Sequence, residues 1–326
     1  MKAVVNNGYG GVEVMEIRDV PIPEPGPNQV LVRVHAAALN YADTMQRRGD
    51  YQVPEGQTPI MGVEIAGVVA RWGADVTGVS EGQRVYGLVE GGGYAEYCLM
   101  EQGMVMTIPQ QWSFETAVAV PEAFYAANET IFHLGDLKEG QSVLIHAGGS
   151  GVGSAAIQMA LHAGAHVFTT VGSLEKGGKA LALGAHVVIN YKVHDFAEVI
   201  LRHTKGQGID LIEDFIGGEY FKRNISCLKT GGTLLLVGVL DGYTSEIEIA
   251  PVILRRLQIK GTAIRNRSLA EKQKVRERFE ERWLPPLIDG KLKPIVNSSY
   301  PIERVADAHR ELEEGKHFGK IVLTIE

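Results

Sequence analysis

Residues 141–156 read Gln-Ser-Val-Leu-Ile-His-Ala-Gly-Gly-Ser-Gly-Val-Gly-Ser-Ala-Ala. The apolar run Val143–His146 has the make-up of a buried strand, a glycine-dense turn follows it, and Ser154–Ala163 is a helical run. The order is strand, tight turn, helix N-terminus. A helix N-terminus offers unpaired N–H groups and the positive end of the helix dipole, so it holds phosphate. Glycines let the backbone approach a pyrophosphate with no Cβ in the way. A bare glycine pattern is a weak signal, but here the flanking strand and helix are both present. The stretch therefore predicts a dinucleotide-binding turn, with Ser150, Gly151, Val152 and Gly153 against the phosphates.

Outward from this turn, helix and strand alternate from Pro121 onward. Helices are predicted at 122–134, 154–163, 175–183, 196–204 and 220–228. Strands are predicted at 143–145, 166–171, 187–189, 211–215 and 233–237. Strands spaced by helices of this length imply right-handed crossovers and a parallel sheet. Both faces of such a sheet are covered, which suits near-continuous apolar strands such as Leu234-Leu235-Leu236-Val237.

Before this region, residues 1–120 carry β signals punctuated by Gly and Pro. Val30–Val34 follows the turn Pro25-Gly26-Pro27, and Glu64–Val69 and Gln83–Tyr86 read as further strands. Gly91-Gly92-Gly93 reads as a flexible turn and, with no helix after it, is assigned no phosphate. Beyond residue 265 the chain is polar and helical at 269–287. A helix at 302–313 then has Val305, Ala308 and Leu312 on one face, and a last strand covers Lys320–Leu323.

The chain has 326 residues, which makes two domains the default. A formal charge of −7 argues against nucleic acid and anionic membranes as partners. The two cysteines, Cys98 and Cys227, make neither a disulfide framework nor a four-thiolate zinc site. With no run of signal-peptide type or transmembrane length, a reducing cytoplasm is the expected home.

The second strand of the alternating region decides which dinucleotide is expected. An NAD site usually carries an acidic residue at its end, accepting from the ribose 2′-hydroxyl. Here it ends Thr169-Thr170-Val171-Gly172-Ser173, with no carboxylate. Lys176 follows one turn later and Tyr191 comes after the third strand. A 2′-phosphate is repelled by an acid and favoured by a hydroxyl and a cation. NADP(H) is therefore expected, with Ser173, Lys176 and Tyr191 around the 2′-phosphate.

Several motifs in order resemble the medium-chain dehydrogenase/reductase superfamily, in its zinc-free quinone oxidoreductase (zeta-crystallin-like) branch. They are Ala38-Leu39-Asn40-Tyr41-Ala42-Asp43 with Arg48-Gly49-Asp50-Tyr51, Gly62-Val63-Glu64-Ile65-Ala66-Gly67, Pro121-Glu122-Ala123, Gly151-Val152-Gly153 and Gly319-Lys320-Ile321-Val322-Leu323. Met45–Gly49 and His146–Gly153 look most like the tumour-suppressor-inducible type of this branch. The resemblance implies an α/β protein with a GroES-like β-rich catalytic domain (1–120 and 266–326) and a Rossmann NADP(H)-binding domain (121–265), with the active site between them. Gly172, Gly217, Gly238, Val239 and His317 complete the expected cofactor-binding set. Ser150, Ala126 and Asn128 depart from the branch's usual Gly, Thr and aromatic residue.

Zinc-dependent relatives carry a Cys and a His-Glu pair where this chain has Asn40 and Val63-Glu64, so no metal is expected. Reduction of an electrophilic acceptor needs little beyond a placed hydride and a hydrogen-bond or proton donor. Tyr51 is the expected donor, with Asn40, Asp43 and Arg265 as further catalytic candidates. Asn40 and Asp43 also fit a plain helix cap, and Glu64 reads as a structural carboxylate. The leading expectation is an NADPH-dependent quinone reductase. Reduction of activated alkenes or enoyl thioesters is the alternative, and a non-catalytic NADPH sensor is a third. A homodimer is expected through the Rossmann sheet edge, supplied by Thr233–Leu240 with a strand-like Glu246–Ile249.

Overall fold

A mainly antiparallel sheet and an all-parallel sheet divide the chain between them. The computed structural model describes residues 1–326 apart from Gln52, Pro54 and Glu55. One unit comprises Met1–Glu122, Ser268–Glu280 and Pro294–Glu326; the other comprises Ala123–Arg267 and Glu281–Lys293.

The first unit opens with the antiparallel pair β1 (Lys2–Asn6) and β2 (Met15–Asp19). Next come β3 (Gln29–Ala38), α1 (Tyr41–Arg48), β4 (Glu64–Trp72), β5 (Arg84–Leu88), β6 (Tyr97–Glu101), β7 (Met106–Thr107) and α2 (Phe114–Val118). The predicted turn before β3 is closed by the Gln29 N–H on the Gly26 carbonyl at 3.0 Å. One edge of β3 pairs antiparallel with β4, while β6 takes the first half of its other edge. Gly91-Gly92-Gly93 is not a loose turn. It is buried, and the N–H groups of Gly92 and Gly93 donate to Ile60 and Gly62 at 2.7 and 3.0 Å. The glycines are there for close backbone approach, since a Cβ on Gly93 would lie 2.9 Å from the Gly62 carbonyl.

The second unit begins as α3 (Pro121–Ala127) leads into a π-helical segment, Asn128–Leu134. There follow β8 (Ser142–Ile145), α4 (Gly151–His162), β9 (His166–Val171), α5 (Leu174–Ala182), β10 (Val187–Asn190), α6 (Phe196–His203), β11 (Ile209–Asp214), α7 (Tyr220–Cys227), β12 (Leu228–Leu236), α8 (Ile249–Leu254) and β13 (Gln258–Gly261). The sheet is all parallel, in the order β10-β9-β8-β11-β12-β13. Its order reverses between β8 and β11, and ligands of such sheets bind beyond the strand ends at that point.

Two expectations are corrected here. Thr233–Leu240 is not the sheet edge: β12 is an interior strand, and the edge is β13, which pairs with it over Gln258–Gly261. The stretch Glu246–Ile249 is not a strand; Ile249 opens α8. The misreading followed apolar content, which marks an interior strand, whereas an edge strand is short and mixed in polarity.

The chain closes with α9 (Leu269–Ile288), β14 (Val296–Pro301), α10 (Val305–Glu314) and β15 (Lys320–Thr324). In the first unit β15 pairs parallel with β14 and antiparallel with β3 at Ala36–Ala38. Val305, Ala308 and Leu312 of α10 are buried. Arg47 of α1 is also buried, paired with Glu313 at 2.5 Å and donating to His309 Nδ1 at 2.9 Å. Residues 281–293, expected with the first unit, pack with the second. Trp283 is buried there against Phe132 and donates its indole N–H to Asn128 Oδ1 at 2.7 Å. Among the described residues no helix is long and apolar enough to cross a membrane.

Within the parallel sheet, Glu213 of β11 is fully buried beside Thr130. The Thr130 hydroxyl has one hydrogen to give, with Glu213 Oε1 and the Ala126 carbonyl, 2.8 Å away, as its acceptors. Burial pushes the Glu213 carboxyl up to about 8, the Thr130 contact opposing it. In the unfolded chain this group ionises near 4.5. Between those values the folded state holds the extra proton, so stability falls as pH rises. Glu213→Gln is expected to leave urea stability nearly unchanged near the lower value and to raise it by about 4 kcal/mol near the upper one. Urea melts at the two ends of the window measure this.

Candidate functional site

The residues expected to bind a nucleotide lie where the strands of the second unit end. The turn after β8 leads directly into α4, which starts at Gly151 and not at Ser154. Ser150 is its N-cap, its Oγ accepting the Gly153 N–H at 2.9 Å. The serine therefore completes the helix start, and the amides left for an anion are those of Gly151 and Val152. Gly153 is buried, and a Cβ there would collide with the Ala147 carbonyl, so it serves close packing of helix on turn. Ala147 takes φ +50°, a left-handed conformation rare for a residue with a side chain.

Beyond β9, Ser173 caps α5 by accepting the Lys176 N–H at 3.2 Å. Tyr191 lies over the same strand end, and a Cβ on Gly172 would sit 2.7 Å from its hydroxyl. Lys176 is half-buried. Its ammonium is held below the usual lysine range, first by desolvation and then by the positive charges of Lys179 and Lys192. Sequence reading missed Lys179 and Lys192. Their signal was the lysines around one strand end; of these, Lys179 is paired with Glu175 at 2.8 Å.

Beyond β11 and β12, Gly217 has φ +68° and approaches the Gly238 carbonyl and Val239 Cα, its Cβ position 3.3 Å from each. These turns are tied by the Leu240 and Asp241 N–H groups on Phe215 and Ile216. Ser150–Gly153, Gly172, Ser173, Lys176, Tyr191, Gly217, Gly238 and Val239 thus all belong to strand ends or following turns of one sheet. Arg265 is half-buried in the same unit, in the loop after β13; Arg267 beside it pairs with buried Glu129 at 2.5 Å.

The first unit holds a buried polar cluster. Asn40 donates from Nδ2 to Glu64 Oε1 at 2.8 Å, and its Oδ1 accepts from Lys320 Nζ at 2.7 Å. Lys320 also lies 2.7 Å from Glu64 Oε1 and donates to the Leu39 carbonyl at 2.7 Å. The Glu122 N–H meets the other Glu64 oxygen at 2.9 Å. Glu64 is fully buried and Lys320 5% exposed, so this is a charge pair taken out of water with each partner's valences met. Lys320 was passed over as part of a terminal strand; a lone lysine inside Gly319-Lys320-Ile321-Val322-Leu323 was its signal.

Asp43 is buried too. It accepts from the Asn40 N–H at 2.8 Å, the Tyr94 hydroxyl at 3.0 Å and the Gly62 N–H at 3.4 Å. Its role in the structure is the cap and anchor of α1. Tyr51 is half-buried in the turn after α1, its N–H on the Met45 carbonyl at 3.3 Å. His317 is buried just ahead of β15.

Comparison with known proteins agrees with this architecture. The model of the alcohol dehydrogenase GroES-like domain matches residues 26–110, and that of the zinc-binding dehydrogenase matches residues 151–281. Human quinone oxidoreductase is 30% identical over 100% of this chain and 98% of its own length. A solved NAD-dependent alcohol dehydrogenase is 34% identical with TM-score 0.87, each chain covered in full. Escherichia coli quinone oxidoreductase complexed with NADPH is 26% identical with TM-score 0.91, over 99% of this chain and 100% of that one. The CurK enoyl reductase is 26% identical with TM-score 0.88, over 100% of this chain and 99% of that one. The chain belongs to the medium-chain dehydrogenase/reductase superfamily of oxidoreductases. Within it, quinone oxidoreductases are full-length homologues.

The residues present do not fit the zinc that the second matched model's name implies. Among the described residues no group of three or more His, Cys, Asp or Glu side chains is placed to hold a metal. Both cysteines, Cys98 and Cys227, are buried and neither belongs to such a group. The carboxylate of Glu64 and the amide oxygen of Asn40 already share an ammonium. Lys320→Met, which strips the cation from a buried carboxylate, is expected to destabilise the protein by about 3–5 kcal/mol in chemical denaturation. Lys320→Arg, which keeps the charge but not the compact ammonium, is expected to recover only part of that loss.

Proposed function

We propose that this protein is an NADPH-dependent reductase of quinones, acting without a bound metal. The observation that carries the cofactor choice is the acid-free end of β9, where Ser173, Lys176 and Tyr191 gather with two further lysines in the field of Lys176. An acid at the strand end would repel a 2′-phosphate; the ammonium groups of half-buried Lys176 and of Lys192 attract it, while Lys179 is paired with Glu175. The NADPH complex of the Escherichia coli homologue supports the same choice.

When bound, the nicotinamide supplies a hydride. The protein's part is to hold and to protonate. The Gly151 and Val152 amides at the start of α4 receive the pyrophosphate. Lys176, with Lys192 nearby, holds the 2′-phosphate. The Tyr51 phenol donates a hydrogen bond to the acceptor oxygen as charge develops there. Asn40 keeps Lys320 and Glu64 in place, and Arg265 is a further candidate for the acceptor's negative charge. An alternative acceptor, an activated alkene, is supported by the likeness to the CurK enoyl reductase, since it needs the same hydride and donor.

The assembly we propose is a homodimer through the edge of the parallel sheet. It is supported by Ile249, Ile253 and Leu254 of α8, between 64% and 76% exposed, and by Ile259 on the edge strand β13.

Oxidation of NADPH and NADH, run in parallel against benzoquinone, phenanthrenequinone and a short alkenal, tests the reading. Turnover of quinones with NADPH alone supports it; turnover of the alkenal alone selects the alkene reductases. Binding of NADPH without turnover leaves a sensor. Lys176→Ala is expected to raise the Kd for NADPH about tenfold while leaving that for NADH within about twofold; equal losses would refute the 2′-phosphate pocket. Tyr51→Phe is expected to lower quinone kcat by about 10- to 100-fold, and unchanged turnover would reduce Tyr51 to a wall of the site.

A further inference from the structure

Four buried polar side chains link the ends of three strands in the second unit. Asp214 of β11 accepts three hydrogen bonds: from the Ile216 and Gly217 N–H groups on Oδ1 at 2.8 and 3.2 Å, and from Asn224 Nδ2 on Oδ2 at 2.9 Å. With its amide nitrogen turned to Asp214, Asn224 presents Oδ1 to His146 Nε2 at 2.8 Å. An amide oxygen only accepts, so Nε2 carries the proton. His146 Nδ1 lies 3.0 Å from Thr170 Oγ1, which also accepts the Ala147 N–H at 3.3 Å.

The imidazole is held neutral, burial lowering its affinity for a second proton more than Asp214 and Asn224 raise it. Nδ1 is therefore bare, and the Thr170 hydroxyl donates to it. Every hydrogen in the chain then has one direction, from Ala147 through Thr170, His146 and Asn224 to Asp214. Phe196 and Tyr220 lie edge-on to the imidazole with centroids at 4.7 and 5.0 Å, which fixes the ring plane. All four polar residues are at most 1% exposed, so water cannot replace a lost partner.

The two ends of this chain are not arbitrary. One is the N–H of Ala147, the left-handed residue that starts the glycine turn; the other caps the left-handed Gly217 turn after β11. These turns flank the point where the sheet order reverses.

We infer that His146 is a positioning residue for the dinucleotide: locked as its Nε2–H tautomer between Thr170 and Asn224, it holds the turns after β8 and β11 in one register. The inference rests on the nicotinamide reading above. His146 touches no ligand in this account and acts through Ala147 and Gly217.

Two measurements on the full-length protein test it. In nitrogen-15 NMR of histidine-labelled protein, His146 is expected to show a protonated Nε2 and a bare Nδ1 from neutral to mildly acidic pH. The opposite tautomer, or an imidazolium, overturns the scheme. In titrations, His146→Gln and Thr170→Val are each expected to raise the Kd for NADPH and NADH together about tenfold, leaving their ratio unchanged. The double variant is expected to bind little worse than either single one, because the chain is already cut. Thr170→Ser keeps the hydroxyl and should restore native affinity. If His146→Gln fails to fold, the Thr170 pair carries the test alone. Folded variants with a lowered Tm but native Kd values overturn the inference. If the unaltered protein binds neither nucleotide, the cofactor reading fails first and takes the positioning role with it.

Discussion

Close approach between the end of β8 and the start of α4 is the constraint on which the second unit depends. A Cβ at Gly153 would strike the Ala147 carbonyl, and one at Gly148 would strike the Thr169 hydroxyl. Without those two glycines the helix would stand off the strand, and its N-terminal amides would no longer end at the reversal of the sheet. The conformation is not relaxed, since Ala147 sits at φ +50°. Threonines on the neighbouring strand hold it there: Thr169 bonds Ile145, and Thr170 bonds the Ala147 amide. The place of this helix start at the sheet reversal is thus a product of packing.

Three buried carboxylates show three ways of meeting the cost of desolvation. Glu64 is matched by the ammonium of Lys320. Asp43 is satisfied by hydrogen bonds, one from a phenol and two from backbone amides. Glu213 has one shared hydroxyl to set against full burial, and burial prevails, so it keeps its proton. These choices follow from what each neighbouring segment brings: β15 carries a lysine, the N-cap of α1 and the turn before β4 each offer an amide, and the π-helical segment offers a hydroxyl shared with its own backbone.

Much of this was legible in the sequence where periodicity carries it. The βαβ alternation from β8 to β12 was readable because parallel strands are continuous apolar runs and the helices between them are amphipathic. The glycine turn between β8 and α4 was readable because steric need dictates glycine. What escaped were features set by partners distant in sequence. The four-residue strand β13 has no pattern of its own and exists because β12 offers a free edge. Trp283 travels with the second unit because Asn128, a departure from the usual aromatic, accepts its indole proton. The Gly91–Gly93 turn was taken for flexibility, although its glycines answer crowding from residues 60–62. The role of Lys320 depends on Asn40 and Glu64, some 260 to 280 residues earlier in the chain.

The ammonium between Glu64 and Asn40 also differs in kind from an ion bound out of solution. It is made with the polypeptide, one per chain, and takes its place when β15 pairs with β3. Its occupancy cannot vary with the supply of any ion, no competing cation can exchange for it, and no chelator can withdraw it. The charge of this cluster is therefore inherited through the gene, and assembly of the sheet is the only loading step it needs.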